Sequence, residues 1–134
     1  MTVDSAPYLL QQPPFRFVDA IIRCTDYEAS TEFVIRPDVC LLDDDKLTLA
    51  GVMENMAQSC AAWMGQQMVS HGESIRLLPL CAIHRMKMFR PVTVGDRLNT
   101  TVRLMDEDFG IVSMVAESYV SGEMVAQAEI KVGK

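Results

Sequence analysis

Histidine is scarce in this sequence, with only His71 and His84, and the four cysteines, Cys24, Cys40, Cys60 and Cys81, stand 16, 20 and 21 residues apart. There is no Cys-X-X-Cys pair. Structural metal sites need closely spaced thiolates or imidazoles, so the pattern argues against zinc. Each cysteine has apolar neighbours, which favours buried, reduced thiols in a cytoplasmic chain over a disulfide framework. The first residues, MTVDSAPYLLQQPPF, hold no base, an acid at Asp4 and one apolar pair at Leu9 and Leu10. They read as neither a secretion signal nor a membrane span. Bases are also few: 12 Lys and Arg against 18 Asp and Glu give a net charge of −6. That balance excludes nucleic acid and anionic membrane as general partners. Repeats, low-complexity tracts and Gly/Ser linkers are missing too, so residues 1–134 read as one domain with one core.

Apolar residues make up 49% of the chain, ten of them methionines. Such an interior is adaptable and suits either a core or a pocket for a flexible chain, the core being the commoner reading. Trp63 and the phenylalanines are most simply core residues as well. Pro13 and Pro14 hold the backbone extended or in a turn. Phe17–Cys24 and Ala29–Ile35 read as strands, the second placing Thr31, Phe33 and Ile35 on one face. Residues 36–46 favour a loop, whose Asp43, Asp44 and Asp45 put negative charge ahead of a helix start. From Leu47 to Val69 there is no proline, and Met53, Met56, Ala57, Cys60, Ala61, Met64 and Met68 follow a 3.6-residue period. A long helix follows, and the small residues Ala57, Ala61 and Ala62 expect close neighbours around it.

Four β-like segments come next, Leu78–Phe89, Leu98–Met105, Gly110–Val120 and Met124–Val132. Turns at Val94–Asp96, Asp106–Asp108 and Ser121–Glu123 suit antiparallel hairpins. Two strands, a long helix and four strands define an α+β architecture with the helix on one face of an antiparallel sheet.

Three separated segments carry a resemblance. Pro13–Asp19 reads PPFRFVD, Glu54–Gln58 reads ENMAQ, and Phe89–Asp96 reads FRPVTVGD. In order and spacing they resemble the hotdog-fold 3-hydroxyacyl-ACP dehydratases of fatty-acid synthesis and their relatives in aryl-polyene and similar pigment pathways, across roughly Leu9 to Val132. The resemblance implies a sheet wrapped around one central helix, and dimers with acyl tunnels along the subunit interface. It implies an acyl carrier protein or CoA thioester as substrate carrier, and no cofactor.

Glu54 is the only acid between Lys46 and Gly72, and it lies close to the apolar face of the helix. Alone, it is most simply an early-helix glutamate stabilised by the helix dipole. With ENMAQ included, the better reading is a partly desolvated carboxylate serving as general acid or base. Gln58, at i+4, can hydrogen-bond it. In the dehydratases that the chain resembles, a histidine precedes the Pro-Phe pair; that position here is Gln11. An amide cannot take a proton near neutral pH, so ordinary dehydratase chemistry lacks its base. Neither His71 nor His84 matches a catalytic position of the family. The family's oxyanion-donating glycine aligns with Leu49, with Gly51 nearby, and free N–H groups of a helix start can still face a thioester carbonyl. Phe15, in the first motif, completes the expected substrate contacts.

Between Arg76 and Arg97 stand five bases and one acid, a local net of +4 that leaves −10 elsewhere. Arg85, Lys87 and Arg90 could meet an acidic carrier, or the strand is simply solvated. Three functions stay open: a dehydratase-like enzyme in which Gln11 orients Glu54's substrate, a non-catalytic acyl binder or silent heterodimer partner of an active paralogue, and a thioesterase using Glu54.

Overall fold

The computed structural model describes residues 2–134. In chain order it has β1 (Val3–Asp4), a 3-10 turn (Ala6–Tyr8), β2 (Ala20–Cys24), β3 (Glu28–Val34), β4 (Leu42–Asp43), β5 (Lys46–Leu47) and α1 (Leu49–Ser70). Then come β6 (Leu80–Met88), β7 (Val92–Thr93), β8 (Arg97–Asp108), β9 (Ile111–Val120) and β10 (Glu123–Gly133). Seven strands form one antiparallel sheet in the order β1-β2-β3-β8-β9-β10-β6, and β4, β5 and β7 form a small second sheet. One long helix against a large antiparallel sheet is the hotdog architecture that the motifs implied.

Period-two alternation builds the sheet. β9 sends Val112, Met114, Ala116, Ser118 and Val120 inward and their neighbours outward. Thr31, Phe33 and Ile35 are all buried on one face, as expected. The helix is covered on two sides. Val52, Met56, Cys60, Trp63, Met64 and Met68 join the sheet's inner face in the main core, while Ala62 packs with Leu9, Val18 and Ile21 in a second cluster beneath the N-terminal segment. Burying each large apolar side chain contributes about 1.5–3 kcal/mol. At Gly65 an added Cβ would lie 2.5 Å from the Tyr8 carbonyl oxygen, so only glycine lets the N-terminal segment come this close.

Several expectations are corrected. The strand expected over Phe17–Cys24 is β2 and begins at Ala20, because the backbone of Phe17 bonds to helix side chains instead of a neighbouring strand: its N–H donates to Gln58 Oε1 and its carbonyl accepts from Asn55 Nδ2. The three aspartates precede the helix as expected, and the capping residue lies between them and its first turn. Thr48 is that residue, its hydroxyl accepting the Gly51 N–H, while Asp43 pairs with Lys46 across the β4–β5 hairpin and Asp44 takes its left-handed turn position, φ 54°, a conformation aspartate tolerates. The turn at Val94–Asp96 does not close a hairpin. β8, whose Leu98, Thr100 and Val102 are buried, sits between β3 and β9, whereas the mostly exposed β6 lies at the sheet edge beside β10. A basic strand bulged at Arg85 (φ 52°) suits an edge. Phe17 and Phe33 are core residues, but Phe15, Phe89 and Phe109 are exposed at turns and strand ends, and so is Cys81 on the edge strand.

Candidate functional site

Glu54 lies in the second turn of α1, partly buried. Gln58, one turn later and 1% exposed, determines what that carboxylate can do. Its Nε2 donates to Glu54 Oε1 at 2.8 Å and to the Phe15 carbonyl at 2.8 Å, and its Oε1 accepts the Phe17 N–H at 2.6 Å. Both amide protons are used, so the amide has a single satisfied orientation. Glu54 Oε2 has no hydrogen bond among the described residues.

Beneath this clamp lies a buried polar chain that the sequence reading did not find. Asn55 donates to the Phe17 carbonyl at 2.7 Å and accepts from Thr100 Oγ1 at 2.7 Å, and Thr100 Oγ1 is 2.7 Å from Ser118 Oγ. Ser59 Oγ donates to the Asn55 carbonyl and lies 2.8 Å from Thr31 Oγ1. All five residues are fully buried. The available signal was an asparagine inside ENMAQ together with Thr100 and Ser118 on inward lanes of their strands. Adjacent helix amides, Asn55 and Gln58, thus fix the Phe15–Phe17 segment against Glu54.

Gln11 is not part of that cluster. Its carbonyl accepts from Arg16 Nε at 3.2 Å, and it lines a small crevice with Leu9, Ala61 and Gly65. Ala61 is seven residues beyond Glu54, about 10 Å along a helix rising 1.5 Å per residue. Gln11 makes no hydrogen bond to Glu54. Leu49 is half-exposed at the helix start. The Gly51 amide is not a free donor, being held 3.2 Å from Thr48 Oγ1, and an added Cβ there would meet Leu47. The first-turn N–H groups of Leu49 and Ala50 have no partner among the described residues. The ring of Phe15 is exposed while its carbonyl is clamped.

The basic stretch is largely answered by facing acids. Arg85 pairs with Glu129 at 2.7 Å, Arg90 with Glu123 at 3.1 Å, Arg76 with Glu73 at 3.5 Å, and Arg97 with Glu32. Lys87 has no carboxylate partner among the described residues. His71 closes the helix, its Nδ1 2.7 Å from the Gln67 carbonyl, and His84 is exposed on β6; neither bonds to Glu54. No helix among the described residues is long and apolar enough to cross a membrane.

A long helix laid against a seven-stranded antiparallel sheet defines a hotdog protein. The profile of the ApeP-like dehydratases matches residues 3–134, and the chain belongs to that family. Among solved structures it is similar to the dehydratase heterocomplex ApeI:P from Xenorhabdus doucetiae, with a TM-score of 0.90 and 20% identity, covering 98% of this chain and 91% of that one. It is also similar to the PaaI protein of the E. coli phenylacetic acid degradation operon (TM-score 0.70, 16% identity, 85% and 81% covered). A hypothetical thioesterase with coenzyme A from Streptococcus pneumoniae TIGR4 is a further neighbour (TM-score 0.66, 11% identity, 84% and 82% covered). No curated protein sequence matches the chain.

Proposed function

We propose that the chain is the base-deficient subunit of a hetero-oligomeric 3-hydroxyacyl-thioester dehydratase of fatty-acid or polyene biosynthesis, supplying Glu54 while a paralogous hotdog subunit supplies the base. The observation that carries this reading is Glu54 itself, held by Gln58 with one oxygen unbonded and with no basic side chain bonded to it. The heterocomplex nature of the ApeI:P neighbour supports a paralogous partner.

In this reading the partner's base removes the C2 proton of the 3-hydroxyacyl thioester. Protonated Glu54 delivers its proton to the 3-hydroxyl, the C3–O bond breaks, the C2–C3 double bond forms and water leaves. The free N–H groups of Leu49 and Ala50 at the helix start face the charge that develops on the thioester carbonyl. The proton then passes from the base back to Glu54, restoring both groups.

The test incubates a 3-hydroxyacyl-carrier thioester with the chain alone, with a histidine-bearing paralogous subunit, and with both together, following the intact carrier by mass spectrometry. Loss of one water only in the mixture, and a 10²–10⁴-fold slower loss with Glu54→Ala, is the expected result. Dehydration by the chain alone would show that no partner base is needed. Equal rates with Glu54→Ala would overturn the role of Glu54, and loss of the whole acyl group would make the protein a thioesterase. In the chain alone, Gln11→His is expected to restore measurable dehydration.

A further inference from the structure

A seam of hydroxyls crosses the sheet beneath α1. Thr31 on β3 stands opposite Thr100 on β8, and Thr100 stands opposite Ser118 on β9. All three are fully buried, yet the residues two places away on the same inward lanes are apolar: Ala29, Phe33, Leu98, Val102, Ala116 and Val120. A single turn of α1 meets the seam, Asn55 at Thr100 and Ser59 at Thr31. Buried hydroxyls cost desolvation that hydrocarbon of the same shape avoids, so the seam adds direction rather than burial to the join of helix and sheet.

Counting hydrogens fixes that direction. The Phe17 carbonyl can only accept, so Asn55 turns Nδ2 toward it and Oδ1 toward Thr100. Thr100 therefore gives its one hydrogen to Asn55, and Ser118 must donate to Thr100. The Phe17 N–H can only donate, so Gln58 turns Oε1 toward it and Nε2 toward Glu54. Donation runs one way, from Ser118 through Thr100 and Asn55 to the Phe17 backbone, and from that backbone through Gln58 to the Glu54 carboxylate. Apolar contacts alone would let the helix slide on the sheet; directional bonds do not.

We propose, resting on Glu54 as the acid of the dehydration, that Thr100 and Ser118 are its positioning residues: the sheet sets the place of the carboxylate through this one-way chain.

The experiment measures kcat and KM for dehydration of a 3-hydroxyacyl-carrier thioester by the chain together with a histidine-bearing paralogous subunit. Thr100→Val keeps the shape of the side chain and removes the hydroxyl, and is expected to lower kcat about tenfold with KM within about twofold. Thr100→Ser keeps the hydroxyl and is expected to restore kcat. Ser118→Ala is the milder variant, since Thr100 keeps its bond to Asn55, and is expected to lower kcat about two- to threefold. In Glu54→Ala, adding Thr100→Val is expected to cost nothing more, because a positioning residue acts only through the group it places. In the chain alone, NMR is expected to show the Gln58 side-chain amide protons exchanging with water at least fivefold faster in Thr100→Val than in the parent, and no faster in Thr100→Ser.

An unchanged kcat in both folded variants, Thr100→Val and Ser118→Ala, overturns the positioning role and leaves Glu54 as the acid. So does a loss that is the same with and without Glu54, a kcat that Thr100→Ser fails to restore, or Gln58 exchange indifferent to Thr100→Val. A rate indifferent to Glu54→Ala overturns the acid itself, and the positioning role with it.

Discussion

Asn55 shows how much one buried amide can carry. Replacing it with leucine strands the Phe17 carbonyl and takes from Thr100 one of its two partners, at roughly 1–3 kcal/mol for each unsatisfied group. The urea midpoint is expected to fall by about 1 M or more, given slopes of about 1–3 kcal/mol per molar; an unchanged midpoint would show that the chain Asn55–Thr100–Ser118 is not structural. The thiols separate by burial. Cys81 is exposed, Cys24 is partly buried with its thiol pushed up by desolvation, and full burial pushes the Cys60 thiol up further. Because the thiolate is the reactive species, a thiol reagent at mild alkaline pH is expected to label Cys81 first and Cys60 only after unfolding. Peptide mapping of a time course reads that order directly. At this scale Glu54 and Gln58 were legible, because i,i+4 spacing puts two polar groups together on any helix. Asn55 was not: its partners Phe17, Thr100 and Ser118 are brought to it by the fold, and no local pattern encodes such distant contacts.

The elements were legible where a period expresses burial on one side, and less so where a segment is buried on two. β3 and β9 alternate cleanly, and α1 begins and ends within two residues of the expected bounds, Leu49–Ser70 against 47–69. The misplaced pieces are those whose backbone bonds leave the local ladder: Phe17, bonded to α1, and β6, which reads as a hairpin partner of β8 yet pairs with β10. Hairpin partners are inferred from turn residues, and Gly95 supplies a turn signal whichever sheet position follows. At Gly65 the helix packs directly against the backbone of Tyr8. Gly65→Ala is expected to cost about 1–3 kcal/mol through overpacking and to lift that segment, so that chymotrypsin cuts after Tyr8, Leu9 or Leu10 faster than in the parent protein. Equal cleavage rates would show that the helix can yield without releasing the segment.

Across the whole molecule, charge is paired more thoroughly than its order in the chain implies. The local excess of bases meets Glu73, Glu123, Glu129 and Glu32, and β6 with the residues after it is tied to β10 through Arg85–Glu129 and Arg90–Glu123. Exposed pairs of this kind contribute roughly 0–1 kcal/mol each and can be exchanged for a partner's acids. If an acidic carrier docks there, replacing both Arg85 and Arg90 with alanine is expected to weaken carrier binding several-fold and to flatten its dependence on salt; affinity and salt slope unchanged in a titration would remove the strand from carrier recognition. The amide clamp has one more consequence. Since nothing about Gln58, Asn55 or the Phe15–Phe17 backbone depends on the side chain at position 11, that position is free to drift without disturbing how the carboxylate is held. A copy altered at position 11 therefore keeps the geometry of its carboxylate, and loss of function there is separable from loss of fold.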